Sequence, residues 1–96
     1  TLDYDRLVSL IPAAKREILS DKLVDVILAS KNDEKMPSRL ANTILQYWQR
    51  DVLKSESGMA ALLEAAITLE PEKAIGAFNE LQITDAAGLI KATLTS

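Results

Sequence analysis

The sequence contains no cysteine and no histidine. Without cysteine the chain has neither disulfides nor thiol chemistry, and without both residue types it lacks the usual ligands of tetrahedral zinc. Without histidine it also lacks the side chain that most often transfers protons near neutral pH. Together these absences exclude disulfide scaffolds, thiol enzymes, tetrahedral zinc sites and histidine-based acid–base catalysis.

Other catalytic patterns are missing as well. The three glycines, Gly58, Gly76 and Gly88, lie too far apart to form a phosphate-binding loop. No serine is followed three positions later by a lysine, the spacing of a serine nucleophile that works without histidine. Three pairs of nearby carboxylates occur: Asp3 and Asp5, Asp33 and Glu34, and Glu70 and Glu72. Helix N-termini and a solvated loop explain these pairs better than a catalytic or calcium site. We therefore expect a protein that is not an enzyme and has no cofactor and no metal ion.

No hydrophobic run approaches the ~20 residues needed to cross a bilayer, because charged residues interrupt every apolar segment. The N-terminus also lacks the basic region, apolar stretch and small-residue cleavage site of a secretory signal. We therefore expect a cytoplasmic protein with no membrane partner. Because the chain starts at Thr1 rather than methionine, we expect it to be processed, trimmed or cut from a longer protein.

The composition favours a folded domain with one acidic end. Hydrophobic residues make up 48% of the 96 residues and charged residues 26%, unlike a disordered chain. A domain of this size buries roughly two-thirds of the surface of its unfolded chain, so it can form a hydrophobic core without disulfides or metal ions. Residues 1–54 carry a net charge of +1 and residues 55–96 a net charge of −4. This balance gives no general attraction to nucleic acid or anionic membranes.

The N-terminal third predicts two helices separated by Pro12. Asp3 is a suitable N-cap for a short first helix, whose apolar residues are Leu7, Val8, Leu10 and Ile11. Proline disfavours a helical residue before it and fits the first turn of a helix, so we place a break near Ile11 and Pro12. A second helix, residues 13–30, has apolar positions around most of its circumference: Ile18, Leu19, Leu23, Val24, Val26, Ile27 and Leu28. Only a narrow polar strip of Asp21, Lys22 and Asp25 remains, which predicts burial on more than one side.

After a polar loop at residues 31–35, the pattern predicts four more helices: 36–54; 59–69, N-capped by Ser57; 71–81, starting at Pro71; and 85–94, N-capped by Thr84. The predicted core contacts of the last three are Met59, Leu62, Leu63, Ala66, Leu69, Ala74, Ile75, Ala77, Phe78, Leu81, Leu89, Ile90 and Leu94. Gly76 weakens its helix by about 1 kcal/mol relative to alanine unless close packing needs the missing side chain. The sequence thus predicts an all-α fold, a compact single-domain bundle of five to six short helices over residues 1–96, packed in an antiparallel or orthogonal manner.

The helix predicted at 36–54 has two different faces. One arc is apolar and should pack on the core: Leu40, Ala41, Ile44, Leu45, Trp48 and Val52. The opposite arc has no acid and no lysine, and Tyr47 lies at its edge. The residues of this polar arc and Tyr47 form the candidate interaction face: Arg39, Asn42, Thr43, Gln46, Tyr47, Gln49 and Arg50. Arginine and side-chain amides pair bidentately with guanine and adenine edges, but the same groups also suit a protein partner or plain solvation.

Two functional hypotheses follow. The leading one is a non-catalytic helical protein that acts through protein–protein interaction, either as a regulatory or adaptor protein or as a self-associating subunit. The alternative is a helix-turn-helix-like nucleic-acid-binding regulator that uses Arg39, Asn42, Gln46 and Arg50. The acidic residues of the 31–35 loop and the overall negative charge argue against DNA. A carrier of small ligands would need an internal cavity, which a sequence does not reveal.

Overall fold

The computed structural model describes residues 3–30, 52–53 and 55–95. Over these residues the chain forms five helices and no strands: α1, Tyr4–Ser9; α2, Ala13–Ser30; α3, Glu56–Leu69; α4, Pro71–Glu80; and α5, Thr84–Thr95. The helices pack against one another into a compact globule, which confirms the predicted all-α bundle. None of these five helices is both long and apolar enough to cross a membrane.

The first two helices begin and end where local signals predict. The Asp3 side chain accepts a hydrogen bond from the Arg6 backbone N–H at 3.1 Å, which caps α1 as expected. Leu10 closes α1, and the chain leaves helical geometry before Pro12. Helix α2 then starts at Ala13, so the predicted break at the proline is confirmed.

The start of α3 corrects one prediction. Ser55, and not Ser57, is the N-cap, because the Ser55 hydroxyl accepts the Gly58 backbone N–H at 3.1 Å. Ser55 also has the extended backbone of a cap residue, whereas Ser57 is already helical. The sequence SESG predicts a later start because its small and polar residues break the apolar pattern. Gly58 instead lies inside the first turn, where the backbone of Val52 occupies the space that a side chain would need.

The last three helices are joined by very short connections. Glu70 alone separates α3 from α4: its N–H bonds to Ala66 at the end of α3, and its carbonyl accepts the Ala74 N–H of α4. Helix α4 starts at Pro71 as predicted and ends one residue before the predicted end. Helix α5 starts at Thr84, which is therefore the first helical residue and not the predicted cap.

Helix α3 lies at the centre of the described structure and contacts α1, α2 and α4. Its buried residues cover more of its circumference than the one predicted face: Gly58, Met59, Leu62, Leu63, Ala65, Ala66, Ile67 and Leu69. Leu7 and Val8 of α1 and Phe78 of α4 are completely buried around it. The small side chains of α3 allow the neighbouring helices to approach closely.

Four large apolar residues that we predicted as core or apolar contacts are exposed: Leu10, Ile18, Val52 and Leu94, each with between 37% and 50% of its surface accessible. Because Ile18 is exposed, the solvent-facing side of α2 is wider than the predicted polar strip. Ser20, in contrast, is buried on the core side of the same helix. Apolar spacing alone does not predict these outcomes, because the number of neighbouring helices decides which sides are covered.

Candidate functional site

The turn between α4 and α5 places these two helices side by side. Gln82 has a backbone φ of 60°, the left-handed conformation that often follows a helix end. Its N–H bonds to the Asn79 carbonyl at 3.0 Å, and the Ile83 N–H bonds to the Phe78 carbonyl at 3.0 Å. This pair of hydrogen bonds is a Schellman motif, and buried Ile83 supplies the apolar contact that accompanies it. The chain therefore reverses within three residues.

A lysine from α2 holds the same turn from the other side. The Lys15 ammonium donates a hydrogen bond to the Leu81 carbonyl oxygen at 2.8 Å. A positive charge at a helix C-terminus also interacts favourably with the helix dipole. Lys22 of α2 forms a further ion pair of 2.7 Å with Glu80 at the end of α4. These two contacts fix the end of α4 to α2. They also fix the position at which α5 starts, because the turn joins the two helices directly.

An open groove runs between α4 and α5, with a volume of about 470 Å³. The residues that line it are Glu72, Ile75, Asn79, Thr84, Ala87, Gly88 and Lys91. Beyond Lys91 the concave surface continues to Pro71, Leu94 and Thr95. Because the start of α4 meets the end of α5 in this lining, the two helices are antiparallel. We call this surface the α4–α5 groove.

The chemistry of the α4–α5 groove changes along its length. Its middle is formed by half-buried Ile75 together with Ala87 and Gly88. One end carries both charges, Glu72 and Lys91, and the other end has uncharged polar residues. An apolar centre with polar margins is the usual anatomy of a protein–protein contact. The groove therefore has an apolar centre between two polar ends.

Two exposed glycines, one on α4 and one on α5, have no packing role within the described part of the chain. A Cβ atom added at Gly76 or at Gly88 would meet no heavy atom of the described residues within 4 Å. Close packing inside the described chain therefore does not require either glycine, although each lowers the stability of its helix by about 1 kcal/mol relative to alanine. Gly88 lies in the groove and Gly76 does not. At Gly88 the backbone of α5 is accessible from outside.

A second concave surface lies between the start of α1 and the middle of α3. It has a volume of about 420 Å³ and is lined by Asp3, Tyr4, Asp5, Ser57, Ala60, Ala61 and Glu64. Partial burial raises the pKa of the Tyr4 hydroxyl above its usual 10.0, and the nearby Glu64 carboxylate raises it further. The phenol is therefore neutral at physiological pH. In the part of the chain that the structure describes, no three acidic residues are arranged to hold a metal ion.

The interaction face predicted from the sequence falls on residues that the structure does not describe. Its residues, Arg39, Asn42, Thr43, Gln46, Tyr47, Gln49 and Arg50, lie outside the described residues, so that prediction and the helix-turn-helix alternative stay predictions. The α4–α5 groove was not predicted. The signal available in the sequence is Gly88, an unexplained glycine within a helix, since helix interiors disfavour glycine. The sequence alone does not show which residues of α4 lie beside this glycine, because that depends on the geometry of the turn at Gln82.

Comparisons of the chain with protein-family models, curated proteins and solved structures found no match. No activity, ligand or partner is therefore transferred from a relative. A functional proposal therefore rests on the surface of this chain, and the α4–α5 groove is one of its concave surfaces.

Proposed function

We propose that this protein is non-catalytic and acts through protein–protein contact, by binding a helical segment in the α4–α5 groove. The observation that supports this proposal is the groove itself, an apolar centre with polar ends between two antiparallel helices. No cysteine or histidine is present to support common catalytic chemistry. The helices that form the groove are fixed by the Schellman turn and by Lys15. A preformed groove lowers the entropic cost of binding.

The spacing of the lining residues favours a helix as the occupant. On α4 they recur at three and four residues, from Glu72 to Ile75 to Asn79, and on α5 at the same intervals, from Thr84 to Gly88 to Lys91. Each wall is therefore one face of a helix, and two helices pack with the ridges of one in the grooves of the other. Helix α4 has ten residues, about 15 Å of helix, so a matching segment would have about three turns. The bare backbone at Gly88 permits close approach.

Photo-crosslinking tests this proposal for a polypeptide partner of any sequence. A benzophenone side chain is placed at position 79, in the groove, or at exposed position 25 of α2 as a control, in cells that make the protein natively. We expect polypeptide adducts from position 79 and few from position 25. Mass spectrometry of the adduct identifies the crosslinked segment. Equal labelling from both positions, or no polypeptide adduct at all, would contradict docking in the groove.

Two glycine variants make the crosslinking test specific. Gly88→Gln fills the groove with a side chain, whereas Gly76→Gln adds the same side chain to α4 outside the lining. A Cβ atom at either position enters open space and glutamine favours a helix more than glycine does, so both variants should fold and gain slightly in helix stability. Only Gly88→Gln should remove the position-79 adduct. An adduct that survives this change, or disappears equally with the control variant, would place the binding surface elsewhere.

A further inference from the structure

Helix α5 is attached to the bundle through few buried side chains. Three of its 12 residues are buried, and two of these are the alanines Ala86 and Ala87, so Ile90 supplies its one large buried side chain. Residues 91–95 are exposed or half-buried, and Leu94 has 42% of its surface accessible. In α3, by contrast, eight of 14 residues are buried. Because packing of an apolar face supplies most of the stability of a helix in a protein, α5 is held less firmly than α3.

The contacts that anchor the C-terminal end of α4 stop just before α5. Lys15 and Lys22 of α2 bind this end of α4 through a hydrogen bond and an ion pair. Beyond the turn, Asp85 and Lys91 of α5 form no ion pair with another described residue, and α5 packs on α4 with a smaller contact to α1. Gln82 separates the two regions, and its positive φ costs free energy that release of α5 would recover. The chain therefore changes from anchored to weakly attached at Gln82.

We propose that α5 is a detachable wall of the α4–α5 groove, which separates from α4 and α1 at Gln82 while the other four helices stay packed. A lone helix of 12 residues is marginal in water, so α5 unfolds when it leaves the bundle. This opening is rare compared with the docked state and more frequent than unfolding of the whole domain. The groove exists only while α5 is docked, so any occupant stabilises the docked state by mass action. The inference does not depend on what that occupant is.

Native-state hydrogen exchange of two matched variants tests whether α5 opens alone. Ile90 of α5 and Ile27 of α2 are both buried in helices, and α2 packs on α3 and α4. In the wild-type chain, the α5 amides should be at least about tenfold less protected than the slowest α3 amides. Ile90→Val should speed exchange in both helices by the same factor, about two- to tenfold, because both openings break its contacts. Ile27→Val should speed the α3 amides and leave the α5 amides unchanged, because Ile27 stays packed when α5 leaves.

Each variant removes one methyl group, so both chains should fold, and circular dichroism checks this. If Ile27→Val speeds the α5 amides as much as the α3 amides, or if the α5 amides are as protected as the slowest α3 amides, then α5 opens only with the whole domain and the proposal is wrong. Docking in the groove is judged separately by the adduct from position 79. That adduct requires only the docked state, so it should form whether α5 opens alone or with the whole domain.

Discussion

Substitution of Gly58 by alanine should destabilise the fold far more than an ordinary helical substitution. Gly58 is buried in the first turn of α3, against the backbone of Val52 and Leu53. An alanine methyl group would overlap the Val52 carbonyl oxygen, and it would lie 2.8 Å from the Val52 carbonyl carbon and 3.0 Å from the Leu53 Cα. These are backbone atoms, so no side-chain rotation relieves the overlap. Either α3 or residues 52–53 must move.

The expected magnitude follows from what such a movement disturbs. Leu53 is almost completely buried, and Met59, directly after the glycine, is fully buried. Forcing an extra methyl group into packing of this kind costs about 1–3 kcal/mol, and at a backbone contact the upper part of that range applies. The helix propensity of alanine returns less than about 1 kcal/mol. We expect a net loss of about 1–3 kcal/mol, from a total of about 5–15 kcal/mol for a domain of this size.

Alanine at the other two glycines provides matched controls for Gly58→Ala. Gly76→Ala and Gly88→Ala add the same methyl group to helices, but into open space. They should raise the free energy of unfolding by about 0.5–1 kcal/mol. Urea unfolding followed by circular dichroism gives these values, and each kcal/mol corresponds to about 4–8 °C in Tm. A Gly58→Ala chain as stable as the two controls would refute the close approach of α3 to residues 52–53.

Three further perturbations test the local geometry. Ser55→Ala should lower the free energy of unfolding by about 1 kcal/mol because the Gly58 N–H loses its cap, whereas Ser57→Ala should change it by less than about 0.5 kcal/mol in the same urea titration. Gln82→Gly should raise Tm, with a gain of about 0.5–1 kcal/mol, because glycine adopts positive φ without strain; an unchanged or lower Tm would argue against the left-handed turn. Tyr4→Phe addresses pH. The folded-state pKa of Tyr4 is raised above 10.0 by burial and by the Glu64 carboxylate, so the unfolded chain ionises first and stability is lost as pH rises from 10.0 through the folded-state pKa. The wild-type chain should therefore lose stability relative to Tyr4→Phe in that range, and parallel pH profiles would contradict this.

Helix boundaries could be predicted from the sequence where one residue determines the local geometry. Asp3 caps α1 because its carboxylate reaches a backbone N–H three residues later, and that requires no other part of the fold. Pro12 and Pro71 separate helices because the proline ring restricts the residue before it. The all-α class follows from the sum of such local signals and the helical spacing of apolar residues.

Burial could not be predicted with the same success because it depends on neighbouring elements. Ile18 and Leu94 have apolar side chains at helical spacing, yet each faces solvent. Ile67 lies outside the predicted apolar face of α3 and is almost completely buried, because α3 has helices on several sides. A sequence pattern gives the direction of a side chain around its own helix. It does not give the number of helices that cover that direction.

The α4–α5 groove could not be predicted either, because it also depends on how neighbouring helices are placed. Glu72 and Lys91 lie far apart in sequence and belong to different helices, so no motif contains both. They share one end of the groove only because the turn at Gln82 reverses the chain, and nothing in the identity of glutamine predicts positive φ. Glycine or asparagine at that position would have been a stronger signal.

The three glycines show how one residue type can have opposite roles in the same fold. Gly58 is needed because the chain's own backbone occupies the space of its side chain, while the space beside Gly76 and Gly88 is empty. Alanine should therefore destabilise the first position and stabilise the other two, although all three are helical. Stability measurements cannot separate Gly76 from Gly88, since both changes enter open space. Only binding can separate them, because Gly88 alone lies in the α4–α5 groove. A change that raises stability and removes association would identify Gly88 as a residue kept for contact rather than for folding.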